Sequence, residues 1–409
     1  MVGFNPRDPA FIANPYPAFR ELRDTAPVWR SPFGRTFLTR YEDASLLMRD
    51  RRLGKDYTEP EALIRRFGPT AMQEPAVVEL SHMMLMRDPP DHTRLRGLVT
   101  KVFTARKIEE MRPGIQAITD RLLAKVAGAG KMDAIRDLAF PLPVLVICEL
   151  LGIPDDDRAR FVTATASGAA LLNPVPPTRA ELDRANESTL ATGAYFEALF
   201  EQRRKEPRDD LLTLLVQAEE AGDHLTTEEL RANVTLLFAA GHETTVNLIG
   251  NGIWSLLGNR SQWEAIHESP ALIPNAIEEV LRYESPVQAV ARTVAEPIEF
   301  GGIEFGKGDL IVALIGAANR DPEVFPDPDR MDVTRERLRP LSFGGGIHFC
   351  IGAQLARIEA EVVFSTLLRR MPDLQLVEVA APQWRESFTL RGLTILPVTW
   401  TSSYRCGPT

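Results

Sequence analysis

Apolar residues repeat at helical spacing through most of the middle of this chain, from about residue 90 to about 285. The clearest stretch opens at Thr226-Thr-Glu-Glu229, where Glu229 follows Thr226 at capping-box spacing. The apolar run from Val234 then continues to about Leu257, which predicts a helix long enough to cross a whole domain. Residues 351–370 predict a second strongly amphipathic helix. Up to about residue 55 the pattern differs. Short alternations such as Ala26-Pro-Val-Trp-Arg30 and Arg35-Thr-Phe-Leu-Thr39 read as strands among Pro and Gly. Strand-like pieces return near 298–304, 309–315 and 386–398, with Pro- and Asp-rich coil at 320–345. The expectation is a mainly α chain with minor β. Its β-rich parts fall at about 25–55 and 285–400, its helical core at about 90–285 and 351–370. No repeat or composition shift marks a boundary, so 1–409 reads as a single domain.

Composition changes this picture little. With 44% hydrophobic and 25% charged residues, 409 positions can bury a large core. A net charge of -9 argues against a nucleic-acid partner. No apolar run reaches membrane-spanning length and no signal peptide opens the chain, so the expectation is a cytoplasmic protein without a membrane anchor. Cys148, Cys350 and Cys406 are too few and scattered for a disulfide framework.

One of them carries chemistry. Cys350 ends Phe343-Gly-Gly-Gly-Ile-His-Phe-Cys350 and precedes the second helix. Glycines let backbone approach a flat ligand, Phe343 and Phe349 can wall the sulfur off, and a helix N-terminus favours a thiolate. A lone sulfur suits one metal, such as a haem iron, better than a zinc cage. A plain glycine turn with a buried cysteine stays open, and a phosphate loop is weaker because no Lys-Ser/Thr pair follows. The long helix carries Ala239-Ala-Gly-His-Glu-Thr-Thr245, with glycine and threonines where helix formers belong. A threonine hydroxyl can bond back four residues and leave a polar notch; a packing irregularity is the rival reading. Glu279 and Arg282 sit three apart, as a surface pair would. His92, Arg96, Arg292 and His348 are cations available to a ligand's carboxylates, though singly each reads as surface charge.

Together these pieces resemble the cytochrome P-450 family. Phe343, Gly346, Cys350 and Gly352 match its cysteine signature, and Ala240 to Thr245 match its oxygen-side helix motif. Glu279 and Arg282 match its Glu-x-x-Arg pair, and Arg330 looks like the third member of that cluster. The resemblance implies a triangular helical prism with small sheets around a buried haem b. Cys350 would be the axial iron ligand, and His92, Arg96, Arg292 and His348 would meet the propionates. Glu279, Arg282 and Arg330 would be structural. Ala240 and Gly241 would leave room for dioxygen, Thr244 would hydrogen-bond the oxygen being activated, and Glu243 would relay protons.

The substrate wall implied by the resemblance draws on the 60–86 and 166–182 segments, the long helix, the strip after Pro286 and the turn at Phe388. It includes Met83, Met84, Leu85, Leu171, Leu172, Leu236, Ala240, Val287, Ala289, Val290 and Phe388, with Asn173–Pro177 as part of a lid. Such a wall favours a hydrophobic small molecule of terpenoid, steroid, fatty acid or polyketide type. Electrons are expected from a ferredoxin-type donor with a separate reductase, docking near Arg94, Lys101, Arg106 and Lys107. The alternatives are a peroxide-driven peroxygenase on the same fold and a non-catalytic carrier of hydrophobic ligands.

Overall fold

A computed structural model describes residues 3–32, 34–55, 60–101, 103–158, 171, 177–220, 225–377 and 382–401. Leu172, residues 173–176 of the expected lid and Cys406 lie outside the described residues. Six helices position the site: α1 (Tyr41–Arg49), α2 (Asp91–Thr100), α3 (Pro141–Leu151), α4 (Thr227–Gly258), α5 (Ile273–Tyr283) and α6 (Ala353–Arg370).

The expected long helix is α4. Its 32 residues extend about 48 Å at 1.5 Å per residue. Thr226 Oγ1 accepts the Glu229 N–H at 3.2 Å, and the Glu229 carboxylate accepts the Thr226 N–H at 3.1 Å. These bonds satisfy amides that a helix start leaves unpaired. The helix is apolar around most of its girth because α3 and α6 pack against it, sharing a core with Ile135, Ile253, Ile358 and Leu367. Gly252 is a packing requirement, since a Cβ there would collide with the ring of Phe364 on α6.

The main sheet has the order β1-β2-β8-β5-β3: β1 (Val28–Arg30), β2 (Thr36–Leu38), β3 (Leu53–Gly54), β5 (Ala289–Val294) and β8 (Leu310–Leu314). The parallel pairing of Thr36 with Ile311 ties an early strand to a late one. β4 (Lys131–Asp133), inside the expected helical core, joins β9 (Gln375–Leu376) through β10 (Pro397–Thr399). β6 (Ile298–Phe300) and β7 (Ile303–Phe305) form a hairpin. The β-rich start also holds helices: α1 buries Ala44, Leu47 and Met48, a three- and four-residue spacing that the nearby alternations mask. Of the expected strand at 386–398, only the end pairs as a strand; isolated bridges Val287–Leu390 and Trp384–Leu393 replace the rest.

Candidate active site

The Cys350 loop is shaped by close backbone approach. Gly344 and Gly346 have φ of 73° and 63°, and a Cβ on Gly346 would lie 2.5 Å from the Met48 carbonyl at the end of α1. The Cys350 N–H closes the loop on the Phe343 carbonyl at 2.9 Å. Cys350 reaches accessible surface although protein crowds it, whereas Cys148 is wholly buried. Burial pushes the Cys350 thiol up; the Gly352 amide, Arg96 and Arg357 act the other way. The helix start therefore does not suffice for a free thiolate, and this sulfur suits a metal whose own charge holds the thiolate form. Phe349 is 44% exposed rather than closed over the sulfur, and Arg96 Nη2 grips its carbonyl at 2.6 Å. Phe343 instead lies under the Arg357 guanidinium, 4.5 Å from ring centre.

On α4, Ala240 is exposed in mid-helix, so that face looks into a cleft. Thr244 Oγ1 donates to the Ala240 carbonyl at 3.0 Å and Thr245 Oγ1 to the Gly241 carbonyl at 3.2 Å, the back-bonding its sequence predicts. Gly241 does not face the cleft. A Cβ there would lie 3.1 Å from Ile147 Cδ1, so its missing side chain serves the α3–α4 contact. Glu243 meets Arg385 Nη1 at 3.2 Å. Burial pushes its carboxyl up and Arg385 pulls it down. The loop carrying Arg385 is pressed onto α4, because a Cβ on Gly392 would collide with Asn247 one turn beyond Glu243. Ile351, beside the cysteine, packs against the cluster holding Leu236, Leu237 and Phe238 of α4, which couples the two walls.

Four expected cations converge. His92 and His348 meet with ring centres 4.3 Å apart and planes tilted by 58°. Burial lowers both, His348 to about 4, so each offers a neutral N–H rather than a charge. Arg292 is 4% exposed. Burial pulls it down to about 10. Sequence reasoning missed Lys55 and Asp88 in this cluster, for neither lies in a periodic or motif position. Among the described residues His348 Nε2 is buried without a hydrogen-bond partner, 4.0 Å from Asp88 Oδ1.

Glu279 and Arg282 are a buried bidentate pair, at 2.7 and 2.8 Å with both side chains 0% exposed, not a surface pair. The third cation is Arg335, 3.2 Å from Glu279. Arg330 is displaced from that role. Its guanidinium is 64% exposed on Asp332, and only its carbonyl reaches Arg282. The expected substrate wall divides. Met84, Leu171 and Leu236 are buried in core clusters; Ala289 and Phe388 pack with Tyr16, Phe19 and Phe37 behind the sheet. Met83, Leu85, Val287, Val290 and Ala240 keep accessible surface.

An accessible thiol in a glycine cradle, an oxygen-lined helix beside it and buried cations in excess of one carboxylate fit a flat metal macrocycle bearing anionic groups. The fold and site thus define a haem-thiolate oxygenase. The family model of cytochrome P450 matches residues 61–372, and the chain belongs to that family. It is 44% identical over 400 residues to "Cytochrome P450 107B1" of Saccharopolyspora erythraea, covering 96% of each chain. It is 42% identical to the "Vitamin D(3) 25-hydroxylase" of Pseudonocardia autotrophica, over 95% of this chain and 94% of that one. A crystal structure of P450BioI in complex with hexadec-9Z-enoic acid ligated acyl carrier protein superposes with a TM-score of 0.89. It is 37% identical, over 96% of this chain and 99% of that one. The protein is a cytochrome P450 monooxygenase that binds haem b through a cysteine thiolate.

Proposed function

We propose that Cys350 is the thiolate ligand and that the cleft oxidises a hydrophobic small molecule of terpenoid, steroid, fatty acid or polyketide type. The carrying observation is the contrast between the described cysteines: Cys350 reaches accessible surface on a glycine cradle, while Cys148 is sealed in the core. Bound haem supplies dioxygen activation and insertion of one oxygen atom into the substrate. The chain's residues do the rest. His92, Arg96, Arg292 and His348 hold the cofactor's carboxylates, Glu279 and Arg282 fix the proximal core, and Thr244 and Glu243 handle protons at the cleft face of α4. Ala240, by its small size, leaves room beside them. Met83, Leu85, Val287 and Val290 exclude water from the substrate, and relatives named for a vitamin D hydroxylation and for an acyl-chain complex lend support to that class.

A reduced carbon monoxide spectrum tests the ligand. Wild type is expected to show the thiolate-haem band and Cys350→Ser to lose it while Cys148→Ser keeps it; an unchanged band in Cys350→Ser refutes the assignment. A difference-spectrum screen of apolar compounds tests the substrate class, and no response from any of the four types would sink it. Electrons are assigned to a ferredoxin-type donor with its own reductase in the cytoplasm. Among the described residues no helix is long and apolar enough to cross a membrane. The paired Thr244 and Glu243 favour dioxygen over peroxide as oxidant; faster turnover with hydrogen peroxide than with the reductase system would reverse that choice. We read the whole chain as one folding unit because β2 and β8 pair across the sequence.

A further inference from the structure

Lys55 follows β3 and is only 9% exposed. Its Nζ donates to the Ala291 carbonyl at 3.4 Å. The same oxygen accepts Arg292 Nη1 at 3.0 Å. Two cations therefore converge on one neutral acceptor where water is scarce. Like charges placed this way raise each other's energy unless an anion joins them. Burial, with Arg292 and Arg66 beside it, drives Lys55 well below its ordinary range, and among the described residues Asp88 opposes this. Asp88 is not free to neutralise both. Its Oδ2 accepts the backbone N–H of Lys55 at 2.8 Å, and its carboxylate fills the space that a side chain on Gly54 would take. That bond fixes the chain at Lys55 and aims the ammonium toward Arg292. His348 Nε2, buried without a hydrogen-bond partner among the described residues, lies 4.0 Å from the other carboxylate oxygen of Asp88 and adds a further donor to this corner.

We propose that Lys55 is a carboxylate-binding residue of the haem cleft: its ammonium and the Arg292 guanidinium take one carboxylate of the cofactor between them, and Asp88 positions Lys55 for it. This rests on the haem-cleft reading and adds to the four residues its motifs mark. The binding is a charge-assisted hydrogen bond in a water-poor place, so its loss speeds haem release rather than altering the chemistry.

The test uses full-length wild type, Lys55→Met and Lys55→Arg, each loaded with haem b or with haem dimethyl ester, whose carboxylates are blocked. Haem release to excess apomyoglobin and the midpoint potential are read. Lys55→Met is expected to release haem b at least about tenfold faster, with a lower potential, and Lys55→Arg to recover most of the wild-type rate. With the ester, wild type and Lys55→Met are expected to release alike. An unchanged rate for haem b in Lys55→Met overturns the proposal, as does an acceleration that persists with the ester. Should Lys55→Met fail to fold, Lys55→Met with Asp88→Asn removes both charges and faces the same two outcomes. A wild type that takes up no haem fails the cleft reading itself, a different result.

Discussion

Glu279 and Glu243 are both glutamates on helices that line the site, both paired with arginine, and the fold treats them in opposite ways. Glu279 is 0% exposed and receives four donors: Arg282 Nε and Nη2, Arg335 Nε and the Asp332 N–H. Among the described residues, Glu243, 13% exposed, meets one guanidinium nitrogen at 3.2 Å, from an Arg385 whose Nε is buried without a partner. A saturated carboxylate is a fixture, because every route to another geometry gives up charge-assisted bonds. A carboxylate with one bond can exchange it. The wall under the cysteine helix thus holds its acid rigid, while Glu243 keeps the freedom that the proposed proton relay requires.

Glu279→Ala attacks the fixture. It leaves Arg282 charged and buried with only carbonyls around it, and breaking a buried pair this way costs about 3–5 kcal/mol. Thermal unfolding is expected to show a loss of that size together with loss of bound haem. A melting temperature within a degree or two of wild type would show that the pair is dispensable.

Thr244→Val and Glu243→Gln attack the movable side. Each keeps shape and removes one of the two groups proposed to handle protons. Expected losses in product formation are about 10²-fold, the lower range for a positioned acid or base. Reductant consumption falls less than product, and the difference appears as hydrogen peroxide. Coupling equal to wild type in both variants contradicts the role given to this notch.

Arg385→Met tests the single bond between the walls of that acid. Burial raises the folded carboxyl of Glu243 above the unfolded value, so the folded form prefers the proton, and this group's contribution to stability fades as pH rises through the raised value. Arg385 opposes that rise. Without it the raised value climbs further, and the variant loses stability relative to wild type as pH goes from about 5 to 8. The expected deficit at the upper end is about 1–2 kcal/mol, below the full cost of an unpaired buried charge because both side chains keep some exposure. Lys at 385 should recover most of it. Parallel stability curves for Arg385→Met and wild type across this range would remove Arg385 from the account.

The difference between these two acids was only half legible in the sequence. Motif spacing marked Glu279, Arg282, Glu243 and Thr244, and the capping box at Thr226 marked the start of α4. Partners that come from far along the chain left no such trace. Arg335 and Arg385 lie 56 and 142 residues from their glutamates. Arg330 stood in a plausible place but points outward, since its own neighbour Asp332 takes its guanidinium. Gly241 looked like room for a ligand because a helical glycine has two explanations, and only the position of Ile147 separates them. Period-two alternation gave β1, β2 and β8, yet it could not say that Ala289 and Phe388 face away from the cleft, because that depends on which side of the sheet the aromatic cluster occupies.

The smallest expected effect concerns the outer surface of the proximal wall. Arg94, one of four cations expected to steer an electron donor, instead turns inward to Glu229 at 2.6 Å and ties α2 to the start of α4. Arg106 and Lys107 stay exposed beside the cysteine helix, where Gln354 reaches the Ala105 carbonyl at 3.5 Å. Arg106 already holds Glu110 at 2.9 Å in an exposed pair, so part of its field is cancelled. Reversing Arg106 and Lys107 to Glu is therefore expected to raise the apparent KM for a ferredoxin-type donor by only about threefold to tenfold at low salt, and to vanish near 0.5 M salt, where screening closes within about 4–5 Å. Haem content and product coupling should not change. A low-salt KM equal to wild type would place the donor elsewhere and leave the proximal wall with a purely structural surface.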